Sequence, residues 1–497
     1  MLSSYTKEYL QQFRESPKKT INRLKSKLSK IEDDIDRINI LLTISFFHIS
    51  QGNFLESLEF AKRALDLSRK EKDLFLEIQS FLLIAEAYFF LGKLNIASQN
   101  IELIEILLQE EAFKDKKKLY TELQAHLCKI KGNISFSNRE YNNALDFYKK
   151  CSRLYKKVKN KEAEAKILSN LGVVNQNIGK YEEAINYLNK AKKIYEDVND
   201  HRGIGICLNN IAEVYRIQQK YKKAIEYYKQ SLEIGTNKNS NFISFLAYFN
   251  LGLTYMTIQE YDKAKVFFEN SVKLCVEIGN TSFLAMSYFY LGRIIINSSD
   301  SKDVNKFILE IKEQESINNS SEIKYVHKIL LALFKLSSGK RIERCKAIKI
   351  FDDLLNSETN IQEFYFYTGI QLCNFFFEEL YAFEKKEILD ELNSFFNQIL
   401  EKINEHEDFI LGLQIILLYI HFLALIDERS TMNNYYNKTR KMLDNKNLTN
   451  FEKIMEEYWK IIQEAIEDIN WREYTIKERM ELLGIKKLLE NTIERFV

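Results

Sequence analysis

One proline, Pro17, in 497 residues is the sharpest deficit of this chain. A sequence so poor in the residue that breaks helices and lacks an N–H has room for helix after helix. Cysteine supplies no framework. The six cysteines (Cys128, Cys151, Cys207, Cys275, Cys345, Cys373) are scattered, with none in a CxxC pair. They read as small buried hydrophobes in a reducing compartment. Charge of one sign is missing too: 72 Lys and Arg against 70 Asp and Glu leave a net +2. Nothing global draws the chain to nucleic acid or to acidic substrates. The first seven residues lack a long apolar core, so no secretory signal is expected, and the location is read as cytoplasmic.

Long hydrophobic runs are nearly absent. Residues 409–426 form the exception, interrupted by Gln414 and His421 and flanked by Asp408 and Asp427. With no basic cluster at either end, the run reads as a buried helix and no membrane span is expected. Signs of catalysis are missing as well. His48, His126, His201, His327, His406 and His421 stand apart from one another, and none lies in an HExxH pair. There is no glycine-rich phosphate loop and no GxSxG, and Gly203-x-Gly205 opens a helical run with no strand before it. The chain is therefore not expected to be an enzyme, nor to hold a metal or cofactor.

What is present is a beat. Leu171-Gly172, Ile211-Ala212, Leu251-Gly252 and Leu291-Gly292 recur every forty residues. Ala184, Ala224 and Ala264 follow the small residue by twelve, and Leu188, Tyr228 and Phe268 follow these alanines by four. Each unit splits into two amphipathic helices around a turn such as Gly179-Lys180-Tyr181. The small residues at 172 and 184 mark where the two helices of a pair cross closely. The beat runs back through Gly132 with Ala144, Ala85 with Ala97, and Ser45 with Ser57. A seven-residue, lysine-rich insertion (Lys114, Lys116, Lys117, Lys118) interrupts it. Six clear repeats and a partial seventh span 36–299. Residues 1–35 read as a helical cap, and 300–497 as a degenerate helical-repeat half ending in another cap. The predicted fold is an all-α, right-handed superhelical solenoid of antiparallel helix pairs.

The pattern Leu-Gly-x-x-Tyr followed by Ala-x-x-x-Phe, seen best at Leu251, Gly252, Tyr255, Ala264 and Phe268, resembles the tetratricopeptide repeat. The period is forty rather than about 34 and the closing proline is absent, with the extra residues expected between units at 198–202 and 235–240. The longer class is similar to the repeats of kinesin light chain, of Pins-type spindle adaptors and of the Rap-type peptide-sensing regulators of bacteria. The resemblance covers about residues 39 to 299.

That resemblance implies a concave surface lined by the first helix of each pair. The residues it would place there are Asn170, Asn210 and Asn250, forty apart, with Lys166, Gln176, Asn177, Asn209, Glu213, Arg216 and Arg293. Met256 and Phe249 would add apolar contact. An amide column can satisfy the main chain of an extended peptide. It can equally bridge neighbouring helices of the array, and Ile130 and Tyr290 break the column at either end. Two basic runs, at 18–30 and 149–161, are offset by acidic neighbours and read as solvated faces, so no nucleic-acid partner is expected.

The expected function is an adaptor that holds a peptide segment or partner protein in its groove. The alternative is a peptide-sensing regulator whose shape change controls an effector. Two further readings are a helical enzyme within 300–497, around Phe364-Tyr365-Phe366-Tyr367 and Phe375-Phe376-Phe377, and self-association through array ends. Core packing is the simpler account of those rings.

Overall fold

Seventeen-residue helices alternating with three-residue turns set the forty-residue period. The helices Lys161–Asn177, Tyr181–Asp197, His201–Ile217 and Tyr221–Asn237 are each of that length. The residues beyond the shorter period therefore lengthen helices. They do not form a loop between units as the sequence suggested: His201 and Arg202 already belong to one helix, and Gly235 is still inside another. The computed structural model describes residues 8–488 apart from 11, 14–15, 52, 109–112, 114–115, 239, 299, 358–361, 406–408, 446–448, 469–470, 472 and 486–487. Lys114, His406 and Asp408 lie outside the described residues, and among these residues there is no strand.

The three-residue turns need a left-handed backbone at their second position, and side chains other than glycine accept it. Within pairs this residue is Arg139, Gly179, Gln219 or Gln259, with φ between +57° and +77°; between pairs it is Lys159 or Asn199. The following amide closes the turn on a carbonyl in the last turn of the preceding helix, as Lys180 N–H does on Asn175 O at 2.8 Å.

Cα packing divides the chain into two compact units, residues 1–200 and 201–497. Unit 1 holds α1 (Pro17–Leu28), α2 (Asp34–Gln51), α3 (Phe54–Lys70), α4 (Leu74–Phe90), α5 (Leu94–Leu107), α6 (Lys117–Ser137), α7 (Tyr141–Lys157), α8 (Lys161–Asn177) and α9 (Tyr181–Asp197). The helices pair as α2/α3, α4/α5, α6/α7 and α8/α9, each packed on its chain neighbour. Pro17 stands at the first helical position of α1, where a missing N–H leaves no bond unmade.

Unit 2 continues the pairing with α10 (His201–Ile217), α11 (Tyr221–Asn237), α12 (Asn241–Thr257), α13 (Tyr261–Ile278), α14 (Thr281–Ser298), α15 (Ser301–Asn318), α16 (Ser321–Ser337) and α17 (Arg341–Leu355). Helices α18 (Gln362–Phe383), α19 (Lys386–Glu405), α20 (Phe409–Leu425), α21 (Arg429–Asn445), α22 (Thr449–Ile466) and α23 (Ile476–Leu482) follow. One apolar cluster runs from Ala212 to Leu488 within this unit.

The small residues do what their spacing suggests. Ala184, Ala224 and Ala264 are fully buried. A Cβ on Gly172 would lie 2.6 Å from Leu188 Cγ, and one on Gly252 2.9 Å from the Phe268 ring. In α20, Gln414 and His421 are buried, and among the described residues no helix is long and apolar enough to cross a membrane. Phe364, Phe366 and Phe377 are core residues, with Phe289 5.2 Å from Phe364.

Candidate functional site

A cavity of about 280 Å³ opens on unit 1 where α4, α6 and α8 lie side by side. These are the first helices of three successive pairs. Glu86 and Phe89 stand one and four residues after Ala85, as Asn133 and Phe136 do after Gly132. Val173 and Val174 follow Gly172, and Lys166 and Asn170 precede it. Phe90, Lys129 and Tyr148 complete the lining. The repeat itself thus brings three copies of one helix face together, and it places Lys166 and Asn170 of the expected site in this wall.

The cavity wall holds part of an ion network that spacing alone gave no reason to expect. Lys129 Nζ donates to Glu86 Oε1 at 2.7 Å, and His126 Nε2 lies 3.1 Å from Glu86 Oε2. The side chains are nearly enclosed, with 10% of Glu86, 14% of Lys129 and 12% of His126 exposed. Burial opposes charge on Glu86, but the Lys129 ammonium and the His126 hydrogen bond outweigh it and hold the carboxyl well below its usual range. Burial, aided by Lys129, pushes His126 down to about 3. The network is an ionised Glu–Lys pair with a neutral imidazole, and Nε2 is the protonated nitrogen if it donates to the carboxylate. The only signal available was register: His126 is the forty-residue counterpart of Lys166, and Glu86 of Asn133 once the seven-residue insertion is counted.

A second chain of bonds fixes the amides. Tyr148 OH, from α7, donates to Asn133 Oδ1 at 2.7 Å, while the Asn170 side chain hydrogen-bonds the same hydroxyl. Burial pushes the Tyr148 phenol far up, so it remains a neutral donor.

In unit 2 the corresponding face carries different chemistry. Asn250 Nδ2 donates to Asn209 Oδ1 at 3.1 Å, bridging α12 to α10. Glu213 accepts from Arg216 Nε at 2.9 Å, from Arg216 Nη2 at 2.8 Å and from Tyr228 OH at 2.6 Å. Burial opposes the Glu213 charge, and the guanidinium more than offsets it. The two charged groups expected to meet a ligand separately are thus bound to each other. Tyr228 stands in its pair where Tyr148 stands in its own, and both anchor the residue just after the small one. Arg293 lies over the rings of Phe289, Tyr290 and Tyr367 at 5.4–6.0 Å, and its Nη1 is shielded from solvent without a hydrogen-bond partner. Asn177 Nδ2, in unit 1, bonds back to Val173 O, and Gln176 is half-buried. Asn210 is half-buried and already has an interaction of its own. Met256 is half-buried, but Phe249 is core, edge-on to Phe268 and Tyr290, and does not line a groove as its sequence position suggested.

Among the described residues no three His, Cys, Asp or Glu side chains converge as a metal site would require. The basic run of α7 (Lys149, Lys150, Arg153, Lys156, Lys157) is exposed.

Helix pairs repeating every forty residues define a class, the helical-repeat proteins. Within it, residues 125–197 and 163–237 match one tetratricopeptide-repeat model and residues 246–275 match another. Those segments are tetratricopeptide repeats, a protein-interaction fold. No curated protein sequence matches the chain. Among solved structures, a Rap protein complexed with competence and sporulation factor is 15% identical, covering 74% of this chain and 98% of its own with a TM-score of 0.44. Aspartyl phosphate phosphatase F from Bacillus subtilis is 16% identical, over 73% of this chain and 94% of its own, with a TM-score of 0.45. The apo form of the quorum sensor NprR from B. thuringiensis is 16% identical, over 71% and 97%, with a TM-score of 0.45.

Proposed function

We propose that this chain is a protein-interaction scaffold that holds an extended peptide or partner segment against the first-helix faces of its repeats. The observation that carries this reading is the cavity between α4, α6 and α8, lined by Lys166 and Asn170 at repeat positions that face a ligand in this class. Stacked helix pairs present a preorganised surface, which lowers the ordering cost of binding on the protein's side. Asn133 adds an amide nitrogen with no hydrogen bond among the described residues, available to a peptide carbonyl. On unit 2, taken by itself, Asn210, Asn250 and Arg293 form a separate proposed contact set.

The test is capture from native lysate with the whole chain as bait, beside a Lys166→Ala/Asn170→Ala variant and an Asn210→Ala variant, each with helicity checked first. A protein held by the wild type and lost from a variant supports binding on these faces. Identical capture by all three moves the interaction elsewhere and ends this reading.

A further inference from the structure

The second helix of each pair in unit 1 turns one side to solvent, and in α5 that side is apolar. Ile96, Leu103 and Ile106 are 37%, 46% and 65% exposed. They fall at i, i+7 and i+10, a single stripe along a helix. The repeat does not require them. Counted from the buried alanines Ala97, Ala144 and Ala184, the same positions hold Asn143, Lys150 and Arg153 in α7 and Glu183, Lys190 and Lys193 in α9, all exposed. A position that is charged and solvated in two repeats has no packing reason to be apolar in a third. Single exposed apolar side chains are ordinary, but a stripe of them marks a surface that another molecule covers.

Positive charge stands beside the stripe. Helix α7 exposes Lys149, Lys150, Arg153, Lys156 and Lys157 against one carboxylate, Asp146. Among the described residues none of these five cations is held in an ion pair. Their spacing of three and four residues crowds like charges on one helix, which costs stability until an anion neutralises it. Lys131 of α6 ties the two outer helices together. Its Nζ donates to Glu105 Oε1 of α5 at 2.6 Å and lies 5.6 Å from the centre of the Phe147 ring of α7. That bond also neutralises Glu105, one of the two carboxylates of α5. The stripe and the cations therefore adjoin on one side of unit 1.

We propose that the outer face of α5 and α7 is a docking surface for an acidic amphipathic helix of a partner protein, separate from the first-helix faces. The stripe from Ile96 to Ile106 is about 15 Å long, about three turns of a facing helix, so apolar residues at i, i+3, i+7 and i+10 cover it. Asp or Glu along one flank of that helix then meets Lys150, Arg153 and Lys157. An anionic membrane surface is the poorer occupant, because the stripe carries no aromatic ring and the exposed Glu102 stands beside Leu103. A second copy is poorer too. Laying α5 antiparallel on its own copy sets α7 against α7, cation against cation.

The probe is a display library of helical peptides with apolar residues at those positions and flanks drawn from Glu, Gln and Lys, selected on the full-length protein. Leu103→Lys/Ile106→Arg installs the residues that α7 carries in the same register, so it removes the stripe and keeps the positive charge. Lys150→Glu/Arg153→Glu reverses the charge at exposed positions. Each variant is first checked for unchanged helicity. Wild type should enrich Glu along one flank. The stripe variant should lose that enrichment at least about tenfold, and the charge variant should enrich Lys instead. Lys166→Ala/Asn170→Ala should select the same helices as wild type, which separates this surface from the groove. Enrichment blind to flank charge, or kept by the stripe variant, would overturn the proposal. So would enrichment of nothing. Phosphatidylserine vesicles and sedimentation of the protein alone then reassign the face: vesicle binding lost in the charge variant gives it to a membrane, and dimers lost in the stripe variant give it to a second copy.

Discussion

Removing the Glu86 side chain should destabilise unit 1 far more than removing the whole ion pair. In Glu86→Ala the Lys129 ammonium, 14% exposed, loses the carboxylate at 2.7 Å, and His126 loses its partner at 3.1 Å. Leaving a buried charge uncompensated costs about 3–5 kcal/mol. In Glu86→Leu/Lys129→Met both charges leave together and apolar groups of similar length replace them, so the expected change is about 1–2 kcal/mol of either sign. The gap between the variants is the diagnostic quantity. Trp459 and Trp471 both lie in unit 2, so tryptophan fluorescence is blind to this site. Hydrogen exchange of the α4 and α6 amides reads it directly. At about 1.4 kcal/mol per tenfold change, Glu86→Ala should lower protection there by roughly two to four powers of ten, with unit 2 unchanged. Glu86→Ala within about 1 kcal/mol of wild type, or a double variant as unstable as the single one, would refute the claim that burial governs the pair.

Four other outcomes follow from the structure. Gly252→Ala places a methyl 2.9 Å from the fully buried Phe268 ring and should cost about 1–3 kcal/mol in denaturant unfolding followed by tryptophan fluorescence. Gly179→Ala meets no atom within 4 Å but sits at φ +77°, so about 1 kcal/mol of backbone strain is expected without any change in packing, read by thermal melting. His421, bonded through Nδ1 to Leu417 O with Nε2 unpartnered in the core, is pushed down by burial to about 4 from an ordinary 6.5. Its proton is refused by the folded state and taken by the unfolded one. Stability should therefore fall by about 3 kcal/mol as pH drops from 6.5 to 4, and His421→Leu should remove that share of the slope. Asn209→Ala should weaken unit 2 by about 1 kcal/mol through loss of the α10–α12 bridge.

The frame was legible because it rests on steric necessity. Gly172, Ala184 and Leu188 recur at fixed intervals since two helices crossing closely admit no larger atoms at the contact. The turns were less legible, because their left-handed residues are Arg139, Gln219, Gln259 and Lys159 as well as Gly179, and only glycine advertises that backbone. Of the site, Lys166 and Asn170 were reached through the repeat register. The Glu86–Lys129 pair was not, because its members occupy unlike positions in successive repeats and so leave no periodic trace. Arg216 and Glu213 illustrate a different limit. The resemblance would set them on the groove, but three residues along one helix is also the spacing at which they bind each other.

The asparagine column shows why bridge and clamp are not exclusive readings. A side-chain amide has two N–H donors and an acceptor oxygen with two lone pairs. Asn250 spends one donor on Asn209, and among the described residues its Oδ1 has no hydrogen bond. Asn170 is turned toward Tyr148, whose hydroxyl passes on to Asn133. Intramolecular bonds of this kind fix the amide plane while leaving other donors and acceptors for a ligand main chain, which lowers the entropy lost when that ligand docks. The two roles part company under mutation. Tyr148→Phe removes the hydroxyl that orients both amides and leaves the ring that packs against Gly132. If orientation matters, Tyr148→Phe should weaken capture of the ligand severalfold while helix protection in α6 and α8 changes little. If the bonds serve only the array, protection should fall and binding should follow it in proportion, and a loss of protection with binding intact would remove the clamp from unit 1 altogether.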